Sequence, residues 1–277
     1  MLAVLCTVAG CAPLPAQPPA PAIAIVTAAP GILASRAPIV LLGEVHDNAV
    51  QHAMRLDAFR AILAAGARPA LLMEQFDREK QDDLDRARRG PDGSRVDADA
   101  LVRAAASAGS GWDWAHYKPF LALALEHDLP IVAANVSRRD AFRIAMDGLA
   151  GAGFDADVPA DIAGRQTEQI VNSHCDTVDA AQGRKMADAQ IARDQFMARS
   201  VGRWRDRGVV LLAGNGHVRR DIGVERWLDP ALASRAIAVG LIEEGDLSPG
   251  EFDGTVVTPR QPREDPCIAL RARHRRG

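Results

Sequence analysis

Four short polar clusters hold the side chains of this 277-residue sequence that are best suited to chemistry: Gly43-Glu44-Val45-His46, Glu74-Gln75, Asn135 and Gly214-Asn215-Gly216-His217. Each follows directly on a short apolar run. Carboxylates and imidazoles gathered in one place bind a divalent metal ion and position an attacking water, as a hydrolase requires. The same set suits a planar iron porphyrin, with an oxygen or nitrogen donor as axial ligand. Spacing leaves both chemistries open. Glu44 and His46 lie on one side of an extended backbone and can face one ligand, while Gly43, Gly214 and Gly216 permit close backbone approach. His52 stands four, seven and eleven positions before Leu56, Phe59 and Leu63, on the apolar stripe of a helix whose first turn looks toward the same place.

A parallel sheet would bring these clusters together. Runs 38–42, 70–73, 129–134 and 209–213 are short, apolar and abruptly ended, as buried strands are. Run 236–242 reads as a fifth strand, and Val256 and Val257 as an edge. Helical patterns separate them: a first helix ending at Gly66, then 77–89, 97–108, 117–127, 138–150 and 179–204. The last carries Met186, Phe196, Met197, Val201 and Trp204 as its packing stripe. Strands alternating with helices predict an α/β fold, a mainly parallel central sheet flanked by helices and joined by right-handed crossovers. Segments 75–128 and 155–207 exceed what a crossover needs, so helical insertions are expected to cap the C-terminal edge of the sheet. All strands of such a sheet end at that edge, and the four clusters then share one mouth.

The formal charge of −3 and a pI near 6.2 argue against nucleic acid as a partner, since its recognition needs a clustered basic surface. The basic run in 271–277 reads as a solvated tail. No apolar stretch reaches the ~20 residues of a membrane-crossing helix, so membrane attachment requires an anchor. Nothing matches a dinucleotide fingerprint, a nucleophile elbow or a Cys-x-x-Cys-His haem attachment sequence. The chain opens with an apolar run followed by Val8-Ala9-Gly10-Cys11, which resembles the lipobox of bacterial lipoproteins. That resemblance implies lipidation at Cys11, and Ala12 after it is compatible with outer-membrane sorting. The organisation expected is a signal-type segment 1–11, an unstructured Pro/Ala-rich linker 12–36, one folded domain 37–270 and the tail. In an exported protein a Cys175–Cys267 disulfide is at least as well favoured as a His174-Cys175 ligand pair.

Leu41-Leu42-Gly43-Glu44-Val45-His46-Asp47 resembles the opening motif of ChaN-like haem-binding proteins of the Tiki superfamily, and Leu72-Met73-Glu74 the acidic end of their second strand. Further blocks follow in the same order: 112–119, 129–135, 190–198 with Arg193-Asp194, and 213–217. The resemblance implies an iron-regulated haem-binding lipoprotein of the outer membrane facing the periplasm, active in haem or iron acquisition. It also implies a homodimer that holds haem between two protomers, with a tyrosine phenolate as axial ligand supported by histidine. Tyr117 is the only tyrosine and would be that ligand, beside Trp112 and Trp114. The haem-binding set implied is Tyr117, His46, His52, His217, Glu44, Glu74 and Asn135. The superfamily also resembles metal-dependent proteases and erythromycin-esterase-like hydrolases. On that alternative Glu44, His46, Glu74 and His217 hold a divalent metal, Glu44 and His217 are catalytic, and Asn135 and Asn215 orient.

Overall fold

The computed structural model describes residues 21–90, 94, 96–175, 177–246, 250–265, 267–268 and 271–272. The expected lipidation at Cys11, the signal-type segment and most of the basic tail lie outside the described residues. Six strands, β1 (Ile39–Leu42), β2 (Ala70–Asp77), β3 (Ile131–Asn135), β4 (Val209–Leu212), β5 (Ala236–Glu243) and β6 (Gly254–Thr258), form one sheet in the order β3-β2-β4-β1-β5-β6. Every pairing is parallel. The chain leaves β1 toward β2 and leaves β4 toward β5, in opposite directions from neighbouring strands. A crevice therefore opens at the carboxyl ends of β1 and β4, the topological switch point where such sheets bind ligands.

Alternation along the central strands feeds a core on each face of the sheet. Val40, Leu42, Val210 and Leu212 point to one core, with Phe59 of α2 (Ala49–Ala64) and Phe120 of α5 (Trp114–Glu126). Ile39, Leu41, Val209 and Leu211 point to the other, with Met197 and Val201 of α8 (Ala180–Trp204). Both faces are covered, which explains why these strands read as continuous apolar runs. Helix α8 begins at a capping box made by Asp179 and Gln182. Its stripe departs from expectation: Met197 and Val201 are buried, whereas Met186, Phe196 and Trp204 are only partly so. On α2, likewise, Met54, Ala58 and Ile62 are buried and Leu56 is only partly so.

From residue 21 onward the expected linker is structured. Helix α1 (Pro21–Ala28) and a 3-10 turn (Pro30–Leu33) occupy its described part, with Ile25 and Ile32 wholly buried in the first core. Pro21 and Pro30 each open a helical segment, where a proline's missing N–H costs nothing, so prolines read as linker markers are helix starts. Helices α6 (Arg138–Asp147) and α7 (Ala160–Ser173) pack on α8, and together they wall the crevice. This realises the expected cap, although α7 has no counterpart in the periodicity.

Two devices close the fold. The Gln81 amide pairs with edge strand β3, donating to the Ile131 carbonyl at 3.0 Å and accepting from the Ala133 N–H at 2.7 Å. Beyond β6, Arg263 bonds both Glu243 and Asp47, and Cys267 forms a disulfide with Cys175 just after α7. The disulfide settles the open alternative at Cys175.

Candidate functional site

Glu44 turns inward directly after β1 and is 2% exposed. Its Oε1 accepts the Tyr117 hydroxyl at 2.6 Å and faces His46 Nδ1 at 2.9 Å. Its Oε2 forms an ion pair with Arg55 of α2, a guanidinium with no exposed surface. Burial brings Arg55 down to about 10, so it stays charged at neutral pH, and the desolvation of both groups is offset by their contact. His46 carries the consequence outward. Its imidazole is half-exposed, packs edge-on to Trp112 at 4.8 Å between centroids, and has no partner for Nε2 among the described residues. A Cβ on Gly214 would lie 2.7 Å from His46 Cε1, so glycine is required there by the ring.

A second group forms beyond the end of β4, beside Glu74, which lies within β2 because that strand runs on past the expected end at Met73 to Asp77. Glu74 Oε2 accepts the Gly214 N–H at 2.8 Å, and its Oε1 lies 3.6 Å from His217 Nε2. His217 Nδ1 meets Asp194 Oδ1 at 2.6 Å, and Asp194 Oδ2 accepts from Gln166 at 3.1 Å. The result is a buried row of acid, imidazole and acid. Burial pushes Asp194 up to about 6, against the pull of His217. It opposes charge on Glu74 and His217 too, but Glu74 is held below its ordinary value by His217 and His46, and His217 above its own by Asp194 and Glu74.

Between these groups and the cap lies a cleft of about 1150 Å³. Glu44, His46, Gly214 and His217 line its floor, and α6, α7 and α8 its wall. That volume exceeds the ~300–1,000 Å³ of ordinary small-molecule sites, room for a large ligand.

Three expected members stand elsewhere. Tyr117 is wholly buried, with its phenol pushed well above its ordinary value by burial; its hydroxyl serves Glu44 and does not open on the cleft. His52 lies behind Glu44, stacked on His116 at 4.3 Å, with Nε2 against the His46 carbonyl at 2.9 Å. Burial brings it down to about 4, so it is neutral at pH 7, and Nε2 donates that bond. Asn135 sits at the β3 end opposite Asp77, away from the cleft lining. Asn215 is a fastener: its amide exchanges hydrogen bonds with the Leu241 backbone at 2.6 and 3.2 Å. Sequence reasoning omitted Asp194 and Arg193 from the site. The available signal was an acid at helical spacing, three and four positions, from the apolar Ile191, Met197 and Ala198.

Among the described residues no group of His, Cys, Asp and Glu side chains is arranged to hold a metal ion. Arg55, Tyr117 and His46 already occupy the Glu44 oxygens, and Glu74 Oε2 is taken by the Gly214 N–H.

A family model described as haem-binding uptake, Tiki superfamily, ChaN matches residues 33–228. Among solved structures, one of cofacial haem binding to ChaN of Campylobacter jejuni superposes with a TM-score of 0.62 at 21% identity, covering 79% of this chain and 87% of that one. A variant of the erythromycin esterase EreC in its open conformation matches at a TM-score of 0.47 and 16% identity, covering 84% of this chain and 79% of its own, too loosely to bear on chemistry. No curated protein matches the sequence. With the sheet order, the crevice and the ordered motifs in agreement, the chain belongs to the ChaN family of haem-binding uptake proteins in the Tiki superfamily.

Proposed function

We propose that this protein binds haem in the cleft, with His46 as the iron ligand, and handles haem or iron at the cell envelope. The observation that carries the reading is the His46 imidazole, half-exposed on the cleft floor with Nδ1 engaged and Nε2 free of protein partners. Bound haem would supply an iron that accepts the Nε2 lone pair. Glu44 keeps the ring proton on Nδ1 and so leaves that lone pair outward, the part a carboxylate plays behind a metal-bound histidine. Arg55 forms an ion pair with Glu44, and Tyr117 holds it in place. Phe142 of α6, 70% exposed, adds an apolar lip suited to a porphyrin face.

Several features support the wider reading. Met146 lies one turn beyond Phe142 and is 62% exposed, an apolar face that fits a second protomer in a homodimer. The Cys175–Cys267 disulfide suits an oxidising compartment, in keeping with export and a lipid anchor at Cys11 on the periplasmic side of the outer membrane.

Titration of the purified protein with haemin tests the central claim. A saturable Soret band is expected, shifted or lost in His46→Ala and retained in Tyr117→Phe. Wild-type binding by His46→Ala would reassign the ligand, and no saturable band in the wild type would end the haem reading. Labelling with a radioactive fatty acid, lost in Cys11→Ser, tests the anchor.

A second reading rests on the Asp194–His217–Glu74 row, an acid–base relay able to activate water for hydrolysis. It predicts a hydrolytic activity abolished by His217→Ala and Glu74→Ala and indifferent to His46→Ala.

A further inference from the structure

Arg193 of α8 lines the cleft beside the acid–imidazole row, yet no carboxylate pairs with it among the described residues. Its Nη1 reaches only Gln190, at 3.1 Å, and its buried Nε has no acceptor. Glu74 and Asp194 feel its charge at a distance, but both are already satisfied, Glu74 by the Gly214 N–H and Asp194 by His217 and Gln166. Arg138, in the first turn of α6, lines the same cleft, is exposed and is equally unpaired. The other arginines of the wall differ. Arg165 and Arg219 are both held by Asp221, at 3.1 and 2.6 Å. With Glu44 held by Arg55, and Arg165 and Arg219 by Asp221, Arg193 and Arg138 are the guanidiniums of the wall without a carboxylate partner among the described residues.

A guanidinium with a free edge matches a carboxylate in two parallel hydrogen bonds. The buried Nε–H of Arg193 is a donor that such a ligand would complete.

We propose that Arg193 and Arg138 form a carboxylate-binding subsite, so that the cleft selects a metalloporphyrin with free propionates over a flat apolar ring of the same size. This rests on the haem reading and names the chemistry by which the cleft chooses its ligand. The imidazole of His46 serves the metal, and the two arginines fix the ring's rotation about that bond through its acidic edge.

The test compares haemin with its dimethyl ester, in which both carboxylates are masked, on the full-length protein followed by Soret absorbance. Wild type is expected to bind haemin at least about tenfold more tightly than the diester, the worth of one charge-assisted contact. Arg193→Met and Arg138→Met should each narrow that ratio while leaving diester binding and the melting temperature near wild type. Raising the salt concentration should weaken haemin and spare the diester. Equal wild-type affinity for the two ligands overturns the subsite and leaves the haem reading standing, as does a parallel loss of both ligands in the two variants. No Soret response to either ligand removes the haem reading and the subsite with it.

Discussion

Tyr117 gives its buried hydroxyl to the same Glu44 oxygen that meets His46 Nδ1, at 2.6 and 2.9 Å. One acceptor atom joins the chain's sole phenol to the imidazole on the cleft floor. Removing the hydroxyl leaves a buried carboxylate oxygen short of a donor, so Tyr117→Phe is expected to lower stability by about 2 kcal/mol in urea unfolding. Haemin affinity should stay within about threefold, because only a support of the ligand is altered. Loss of the Soret band in Tyr117→Phe would return the phenol to the role of ligand.

The Arg55–Glu44 pair is sealed from solvent, so breaking it on one side strands a charge. Arg55→Met is expected to cost about 3–5 kcal/mol, enough to unfold a marginal domain. Adding Glu44→Gln removes the stranded charge and should recover part of that loss. Additive losses in the double variant, read from denaturant midpoints, would show that the two groups are not coupled.

Gly214 adopts a backbone open to any residue, with φ −62° and ψ 152°, so the demand for glycine comes from the His46 ring alone. Gly214→Ala is accordingly expected to fold with wild-type stability and to weaken haemin by about tenfold, as the displaced ring loses alignment. An unchanged titration curve would mean that His46 does not need its observed position.

Glu243 is brought down to about 2 from 4.5 chiefly by Arg263, although burial works the other way. A depressed carboxylate binds fewer protons folded than unfolded. Its contribution is therefore whole above pH 4.5 and is lost as pH falls toward 2, at about 2 kcal/mol once the part-exposed Arg263 is allowed for. In Arg263→Met the urea midpoint should drop at pH 7 and vary less than wild type between pH 5 and 2.5. Parallel pH profiles for the two proteins would contradict this assignment.

The disulfide joins residues 92 positions apart. Replacing both Cys175 and Cys267 by Ser is expected to cost about 2–4 kcal/mol, through the freedom returned to the unfolded chain. Thermal melts with and without a dithiol reductant should then differ for wild type and coincide for the double variant.

The sheet was legible because parallel strands buried on both faces are written as uninterrupted apolar runs, and 39–42 and 209–212 fall within such runs. The convergence of Glu44, His46, Glu74 and His217 followed from the rule that parallel strands share an edge. What failed was direction and depth. No periodicity distinguishes a tyrosine aimed at a cavity from one aimed away from it, and Tyr117 points inward because its hydroxyl is taken by the buried Glu44 carboxylate. His52 followed the helical stripe correctly into the interior, but that stripe passes behind the cleft. Asp194 was overlooked because an acid within a long amphipathic helix reads as a solvated face, and only the approach of His217 from β4 makes it an inward group. The α1 helix was hidden by prolines whose positions, at helix starts, carry the opposite meaning from their abundance.

Arg263 is fastened to Asp47, the neighbour of His46, and four residues later Cys267 is bonded to Cys175, the neighbour of His174 on the opposite rim. A strap thus joins the two sides of the opening, covalent at Cys175 and an ion pair at Asp47. With the rims tied in this way, side chains at the lip, Phe142 first among them, are the parts left to swing. Exchange rates should accordingly track the bulk of that one residue more closely than the flexibility of the domain.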